Sequence, residues 1–302
     1  MHEMPIALSF DVEEHHRIEA AAHLACAPEL QAKYAVRMAE ATRWLLDVLG
    51  RHGLKATFFV VGQIAKSHPA LIRAMTDGGH EVASHSWDHR RVHRFTPGTF
   101  REDVRTSKDA LEQAGGAAVV GFRAPTFSVM RETAWAIDVL VELGMRYDSS
   151  IFPVRHDRYG VPDAPRTPFL VRGERAGEMI EIPPTTLRLF GQNLPVGGGG
   201  YFRLLPSSLL EMGLRQLAAG PSAASVMYFH PWEFDLDQPR LPLGRLSRFR
   251  TYVGIGRNRR RFDALLARHP FVRMADLVDE LEPQRADLPR YELATPKAEV
   301  GV

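Results

Sequence analysis

Segments of strand character and segments of helical period alternate along most of this 302-residue chain, and that alternation limits its fold more than any other feature. "PIALSF" (5–10) is a continuous apolar run of strand length. "RMAEATRWLLDVLGRHG" (37–53) has helical apolar spacing and stops at Gly53. "KATFFVVG" (55–62), β-branched and aromatic, reads as a strand, and "PALIRAMTDGG" (69–79) as a helix opening on Pro69 and closing on glycines. The series continues with strand "EVAS" (81–84), a helix over 96–116, strand "AVVGFR" (118–123), a helix over 131–144 and strand "MRYDSS" (145–150). Beyond it come a helix over 207–220, strand "ASVMYF" (224–229), a basic helix and "FVRMADLVDEL" (271–281). Strands separated by helices imply a parallel sheet. About seven such units predict a closed or nearly closed (β/α) barrel, with an open doubly wound sheet as the alternative. Residues 152–200 break the rhythm: they are rich in Pro, Gly and Arg, with one clear strand at "EMIEIP" (178–183). They read as a loop-rich insertion in a single domain over 1–282, followed by a polar tail over 283–302.

Composition narrows the function. No apolar run approaches the ~20 residues of a membrane span. A formal net charge of +2 is too small to imply a nucleic-acid partner. The single Cys26 excludes an internal disulfide and any cysteine metal site, so a cytoplasmic location is the simplest expectation. The opening "MHEMPIALSFDVEE" has no basic leader and reads as a first strand, which argues against an export signal. Arginines cluster in "RLSRFRTYVGIGRNRRRF" (245–262), either as a solvated helix face or as a docking surface for an anionic partner.

In parallel α/β folds, active sites form at the carboxyl ends of the strands. Asp11 follows "IALSF", with Glu13 and Glu14 beside it; His85 follows "EVAS"; Arg123, Asp148 and His230 end three further strands. Each alone has a bland account, but their joint placement on one rim points to hydrolytic chemistry. His85 and His89 are four apart, a spacing shared by His89 and His93, so spacing alone does not choose between the pairs. Position at a strand end selects His85 and His89, which one helical turn would put on the same side. A neighbouring carboxylate would complete a two-histidine, one-carboxylate set suited to zinc. His80 reads as structural and His93 as peripheral, and at most one of His15 and His16 would join the site. There is no G-x-S-x-G elbow and no G-x-x-x-x-G-K-[ST] loop. The glycines of "VGGGGYF" (196–202) suggest a tight backbone course near a ligand.

Taken in order, "SFDVEE", "SHSWDH", "FRAPTF", "YDSS" and "MYFHPWE" resemble the polysaccharide deacetylases with the NodB homology domain, carbohydrate esterase family 4, over roughly residues 5–280. "DVEE", "GGGGYFR" and "HPWEFD" look most like the branch associated with bacterial exopolysaccharide and exosortase loci. The resemblance implies a distorted (β/α) barrel of about seven parallel strands. It also implies a divalent metal, with zinc expected, held by His85, His89 and a carboxylate. The family's first motif has two adjacent aspartates, whereas this chain reads Asp11-Val12-Glu13-Glu14. Side chains two apart on a strand share a face, which favours Glu13 as the ligand, with Glu14 as the alternative. By the same resemblance Asp11 is the general base, Arg123 orients it and His230 is the catalytic acid. Pro125 and Phe127 shape the groove wall, and Asp148 and Trp232 complete the substrate-binding set. The fourth family motif is degenerate here, which leaves the partner of His230 unassigned. The implied activity is metal-dependent removal of N-acetyl groups from N-acetylhexosamine units of a polysaccharide or lipid-linked glycan. A peripheral association with a polysaccharide-synthesis complex is left open. The alternatives are hydrolysis of a small cyclic amide or ureide on the same fold, and a catalytically silent glycan-binding module.

Overall fold

The computed structural model describes residues 4–175, 177–220 and 222–294. Strands β1 (Ile6–Val12), β2 (Thr57–Val60), β3 (Glu81–Ser84), β4 (Gly121–Phe122) and β5 (Tyr147–Asp148) are joined by helices. Those helices are α1 (Pro28–His52), α2 (Gly62–Ser67), α3 (Pro69–Asp77), α4 (Pro97–Gly115) and α5 (Trp135–Glu142). Four more strands follow: β6 (Phe169–Arg172), β7 (Glu178–Glu181), β8 (Thr186–Leu189) and β9 (Gln192–Pro195). Helices α6 (Gly199–Leu204) and α7 (Ser207–Ala218) lead to β10 (Ser225–Phe229). The chain then forms α8 (Arg245–Tyr252), α9 (Ile255–Leu266), β11 (Phe271–Val272), α10 (Met274–Leu281) and β12 (Arg290–Glu292). No helix among the described residues is long and apolar enough to cross a membrane.

The main sheet runs β10-β1-β2-β3-β4-β5-β7-β6-β12, with β11 also on β1. All its pairs are parallel except β6 with β7. The expected mostly parallel α/β sheet is therefore present. Among the described residues no strand pairing joins its two ends, yet its interior is that of a barrel. Ala7, Phe59, Ala83, Tyr147, Leu170, Ile180 and Val226, one from each of seven strands, meet in a single buried cluster. Met274, Leu277, Val278 and Leu281 of α10 join the same cluster, with Ile182, Ala224 and Leu288. Phe10, Phe58, Val60 and Phe122 point the other way, into the layer between strands and outer helices.

Strand alternation then fixes which residues reach the inner face at the carboxyl ends. Ala7 leads through Ser9 to Asp11 and Glu13, Ala83 leads to His85, and Val226 leads through Tyr228 to His230. The same parity turns Asp148, one residue after the inward Tyr147, to the outside.

Several boundaries differ from the sequence expectation. Helix α1 starts at Pro28, well before residue 37, because Pro28 supplies a preformed first turn; it ends at Gly53, whose φ of 67° suits glycine. Residues 152–200 contain four strands, two of which extend the main sheet. The basic segment is two helices broken at Gly254, with φ of 72°. Within the expected tail, β12 pairs with β6, and residues 295–302 lie outside the described residues.

Candidate active site

Asp11 and Arg123 form the floor of the site. Both are buried, and Arg123 Nη1 donates to Asp11 Oδ1 at 2.7 Å and to Ser9 Oγ at 2.9 Å. Its other donors reach the carbonyl and hydroxyl oxygens of Ser149, and its guanidinium lies 4.1 Å from the Phe59 ring centre. Burial alone would raise the pKa of Asp11. The charges of Arg123, His85 and His230, with the Arg123 hydrogen bond, overcome that and hold it below the usual carboxylate range.

His85 and His89 stand beside it, with ring centres 5.1 Å apart. The turn between them is not the helical turn expected from their spacing: Ser86 and His89 have φ of 65° and 66°. The loop is instead pinned from outside, with the N–H groups of Gly62 and Gln63 donating to the carbonyls of Ser86 and Trp87. Asp103 accepts the Trp87 N–H at 2.9 Å. A Cβ on Gly62 would lie 2.7 Å from Trp87, so a glycine is needed for this approach. Burial pushes His85 down to about 4, so it is neutral at pH 7. Its Nδ1 lies 2.8 Å from the Arg123 carbonyl, a contact only an N–H can make, which leaves the Nε2 lone pair free.

Glu13 is the carboxylate that faces the histidines, with Oε2 2.6 Å from His89 Nε2. Glu14 pairs with Arg17, away from the cleft. Burial would raise the pKa of Glu13, but the charge and close approach of His89, then His230 and His85, hold it below the carboxylate range. Among the described residues no three His, Asp or Glu side chains converge on one point at ligating distance, because Glu13 and His89 close on each other. In kind, the donor set fits a divalent cation: a free Nε2 on His85, Nε2 of His89, and an ionised carboxylate buried with Oε2 lacking a hydrogen-bond donor of good geometry.

His230 completes the constellation from β10. Its Nε2 lies 3.9 Å from Asp11 Oδ2 and 3.7 Å from Glu13 Oε1. Burial would lower its pKa, but the hydrogen bond and charge of Glu233, with Glu13 and Asp11, raise it to about 9. The partner that the sequence left unassigned is thus Glu233, whose Oε1 accepts from His230 Nδ1 at 2.8 Å and from the His230 backbone N–H at 3.0 Å. Arg203 Nε stands 3.2 Å from the second oxygen of Glu233, and both side chains are fully buried. The signal lay in "HPWE", where Pro231 opens a short 3₁₀ turn that returns the fourth residue to the first. Trp232 lies on the cleft wall, 5.3 Å from the His230 ring and 5.3 Å from the Arg203 guanidinium.

The cleft has a volume of about 240 Å³ and includes Asp11, Glu13, His85, His89, Phe127, His230 and Trp232 in its lining. Pro125, two residues before Phe127, is buried and is not among the residues lining the cleft. Asp148 does not reach the cleft, which corrects its expected role in substrate binding. On the outward face it sits opposite Glu181 in the β5–β7 register, and both carboxyls are fully buried. Asp148 Oδ2 and Glu181 Oε2 have no other hydrogen-bond partner among the described residues, so a proton on one supplies the missing donor. Burial and then the Asp148 charge push Glu181 well above the carboxylate range. A folded-state pKa raised in this way gives stability that is complete below the unfolded value and lost as pH rises through the folded one. Melting temperature should therefore fall as pH rises above ~4.3, the unfolded carboxyl value, and Glu181→Gln should flatten that fall. Parallel profiles for the two proteins would contradict this.

His80 accepts the Ala56 N–H and is structural, while His93 is exposed on a short turn outside the cleft. Neither His15 nor His16 joins the site: His15 Nε2 meets Tyr252 Oη at 3.0 Å, and His16 packs on Tyr34. The glycine run does bring backbone close to backbone. A Cβ on Gly198 would lie 1.8 Å from the Tyr228 carbonyl oxygen, and Gly199 and Gly200 line the cleft.

Residues 28–147 match the family model of the polysaccharide deacetylases, and residues 149–279 match a domain of unknown function (DUF3473). The first match contains His85, His89 and Arg123, the second contains His230, and Asp11 and Glu13 precede both. The peptidoglycan-N-acetylglucosamine deacetylase of Listeria monocytogenes is 39% identical over 75 residues, 24% of this chain and 16% of that protein. The chitooligosaccharide deacetylase of a Bradyrhizobium is 35% identical over 96 residues, 32% of this chain and 42% of that protein. The alignments thus span less than half of either relative. Among solved structures, one from Mycobacterium smegmatis described as a polysaccharide deacetylase aligns with a TM-score of 0.60 at 21% identity, covering 98% of this chain and 95% of its own. The Puue allantoinase aligns with a TM-score of 0.62 at 16% identity, covering 93% and 91%. At those identities the likeness is one of fold.

Proposed function

This chain belongs to the polysaccharide deacetylase family through residues 28–147, and from that premise we propose that it is a metal-dependent hydrolase removing N-acetyl groups from N-acetylhexosamine units of a polysaccharide or lipid-linked glycan. One observation carries the reading. Asp11 Oδ2 and His230 Nε2 face each other 3.9 Å apart across a cleft that also holds His85, His89 and Glu13, with Arg123 placed to favour the ionised acid and Glu233 the protonated imidazole. Two groups in opposite protonation states are what hydrolysis of an amide requires.

His85, His89 and Glu13 would hold the cation, with zinc expected from two imidazoles and a carboxylate. When bound, such a cation supplies Lewis acidity towards an acetamide carbonyl and a water molecule. The chain's own residues do the rest. Asp11 accepts the proton of the attacking water, and Arg123 keeps it ionised and aimed by the 2.7 Å hydrogen bond. His230 gives its Nε2 proton to the departing amine nitrogen. Glu233 fixes the ring by accepting from Nδ1, so the proton given is the one facing the cleft. Phe127, Tyr228 and Trp232 offer apolar faces to a sugar ring and exclude water around the acetamide.

The test sets N-acetylated oligosaccharides beside a small cyclic ureide, with zinc-loaded protein and separate assays for free acetate and new amine. Equal amounts of acetate and amine from the oligosaccharides are expected. Ureide cleavage with no acetate from any glycan would overturn the assignment. Glycan binding without turnover would favour the silent module, a reading that the presence of both Asp11 and His230 disfavours.

A further inference from the structure

The basic segment noted in the sequence is put to two uses. Arg259 and Arg261 are structural, donating to the carbonyls of Phe234, Arg203 and Leu205. Arg250, on the cleft side of α8, has no such engagement: its guanidinium makes no hydrogen bond or ion pair among the described residues, and it lines the cleft. Arg158, from the segment before β6, lines the same cleft and is likewise without a side-chain partner among the described residues. The acids nearby are already engaged. Glu19 also lines the cleft but pairs with Arg91 at 3.2 Å, and Asp157 lies 3.0 Å from His156 Nδ1. The two arginines share a neighbourhood, since both act on the His156–Tyr159 stack, whose ring centres are 4.0 Å apart. Burial lowers the pKa of His156, and the charges of Arg158 and Arg250 push the same way against that of Asp157.

Two uncompensated guanidinium groups on the wall of a cleft whose floor is acidic are not explained by folding or by the hydrolytic step. Guanidinium forks match carboxylate and phosphate oxygens in geometry and charge. We propose that Arg158 and Arg250 form an anion-binding subsite in the active cleft, which takes a carboxylate or phosphate group carried by the glycan outside the reacting N-acetylhexosamine. The subsite rests on the deacetylase reading and narrows its substrate class to acidic glycans. Tyr159 gives it an apolar side, and the guanidiniums repel cationic glycans, so discrimination works in both directions.

The experiment compares three N-acetylhexosamine oligosaccharides, one neutral, one bearing a uronate and one bearing a phosphodiester, on zinc-loaded protein. Arg158→Ala and Arg250→Ala should each raise KM for the acidic substrates about tenfold, the loss of one charge-assisted contact, and leave kcat and the neutral substrate unchanged. Arg257→Ala, on α9 and outside the cleft, is the control and should alter nothing. The arm with the larger KM change identifies the anion as carboxylate or phosphate. The preference should also shrink at ~1 M salt, where the screening length is ~3 Å. Unchanged acidic-substrate KM in the double variant, or an equal rise for the neutral substrate, would overturn the subsite. If the wild-type protein deacetylates nothing, the hydrolase reading fails, yet calorimetric binding of the same oligosaccharides still decides the subsite. Preferential binding of the acidic ones, lost in the double variant, upholds it, and equal binding of all three refutes it.

Discussion

Asp11→Asn should lower kcat by about 10²–10⁴, the usual worth of a positioned general base, with cation binding in place and the fold retained at reduced stability, because the buried Arg123 loses its counter-charge. An asparagine oxygen can still accept from Arg123 Nη1, and Arg123 keeps its contacts with Ser9 and Ser149. What is lost is the only property the mechanism asks of this residue, a negative oxygen able to take a proton from water. Because Asp11 lies two residues from Glu13 on the same face, zinc stoichiometry should be measured on the same sample. A variant that binds zinc like the wild type and hydrolyses at an undiminished rate would remove Asp11 from the chemistry.

Arg123→Met should destabilise the fold by about 3–5 kcal/mol, the cost of leaving one member of a buried ion pair without its partner. Arg123 and Asp11 are both buried, so neither is rescued by solvent. With Arg123 gone, burial raises the Asp11 pKa unopposed by its largest counter-charge, and the base is protonated over more of the pH range. Activity should therefore fall further than the change in folded fraction explains. Denaturant unfolding separates these effects when the double variant Arg123→Met/Asp11→Asn is included. Removing both charges should cost less than the sum of the single substitutions, because the orphaned charge no longer exists. Additive losses would mean that the pair is not coupled.

The layout of the site was legible in the sequence because one physical rule, alternation along a strand, acts over very short range. Asp11 and Glu13 share a face because they are two apart, and Tyr228 leads to His230 for the same reason. The same rule explains why Asp148 is not in the cleft: it ends a strand as expected, but its parity is that of the outer face, where it meets Glu181. The turn between His85 and His89 was not legible, because its course is imposed by the backbone donors of Gly62 and Gln63, more than twenty residues away in sequence. Strands β6, β8 and β9 were hidden among prolines, glycines and arginines for a related reason. Short strands whose pairing is set by tertiary context leave little periodicity to read. Glu233 is legible in the same way, three residues from His230 across the short turn that Pro231 opens.

The central claim is that His85, His89 and Glu13 hold a cation on which turnover of the acetamide depends. The most direct measurement is acetate release from an N-acetylhexosamine oligosaccharide after chelation and stepwise return of zinc, with bound metal quantified at each step. Release should vanish on chelation and return in proportion to zinc, saturating at one equivalent per chain, and His89→Ala should neither retain that equivalent nor recover activity. Full acetate release from the chelated protein, or unaltered zinc binding and activity in His89→Ala, would contradict the account.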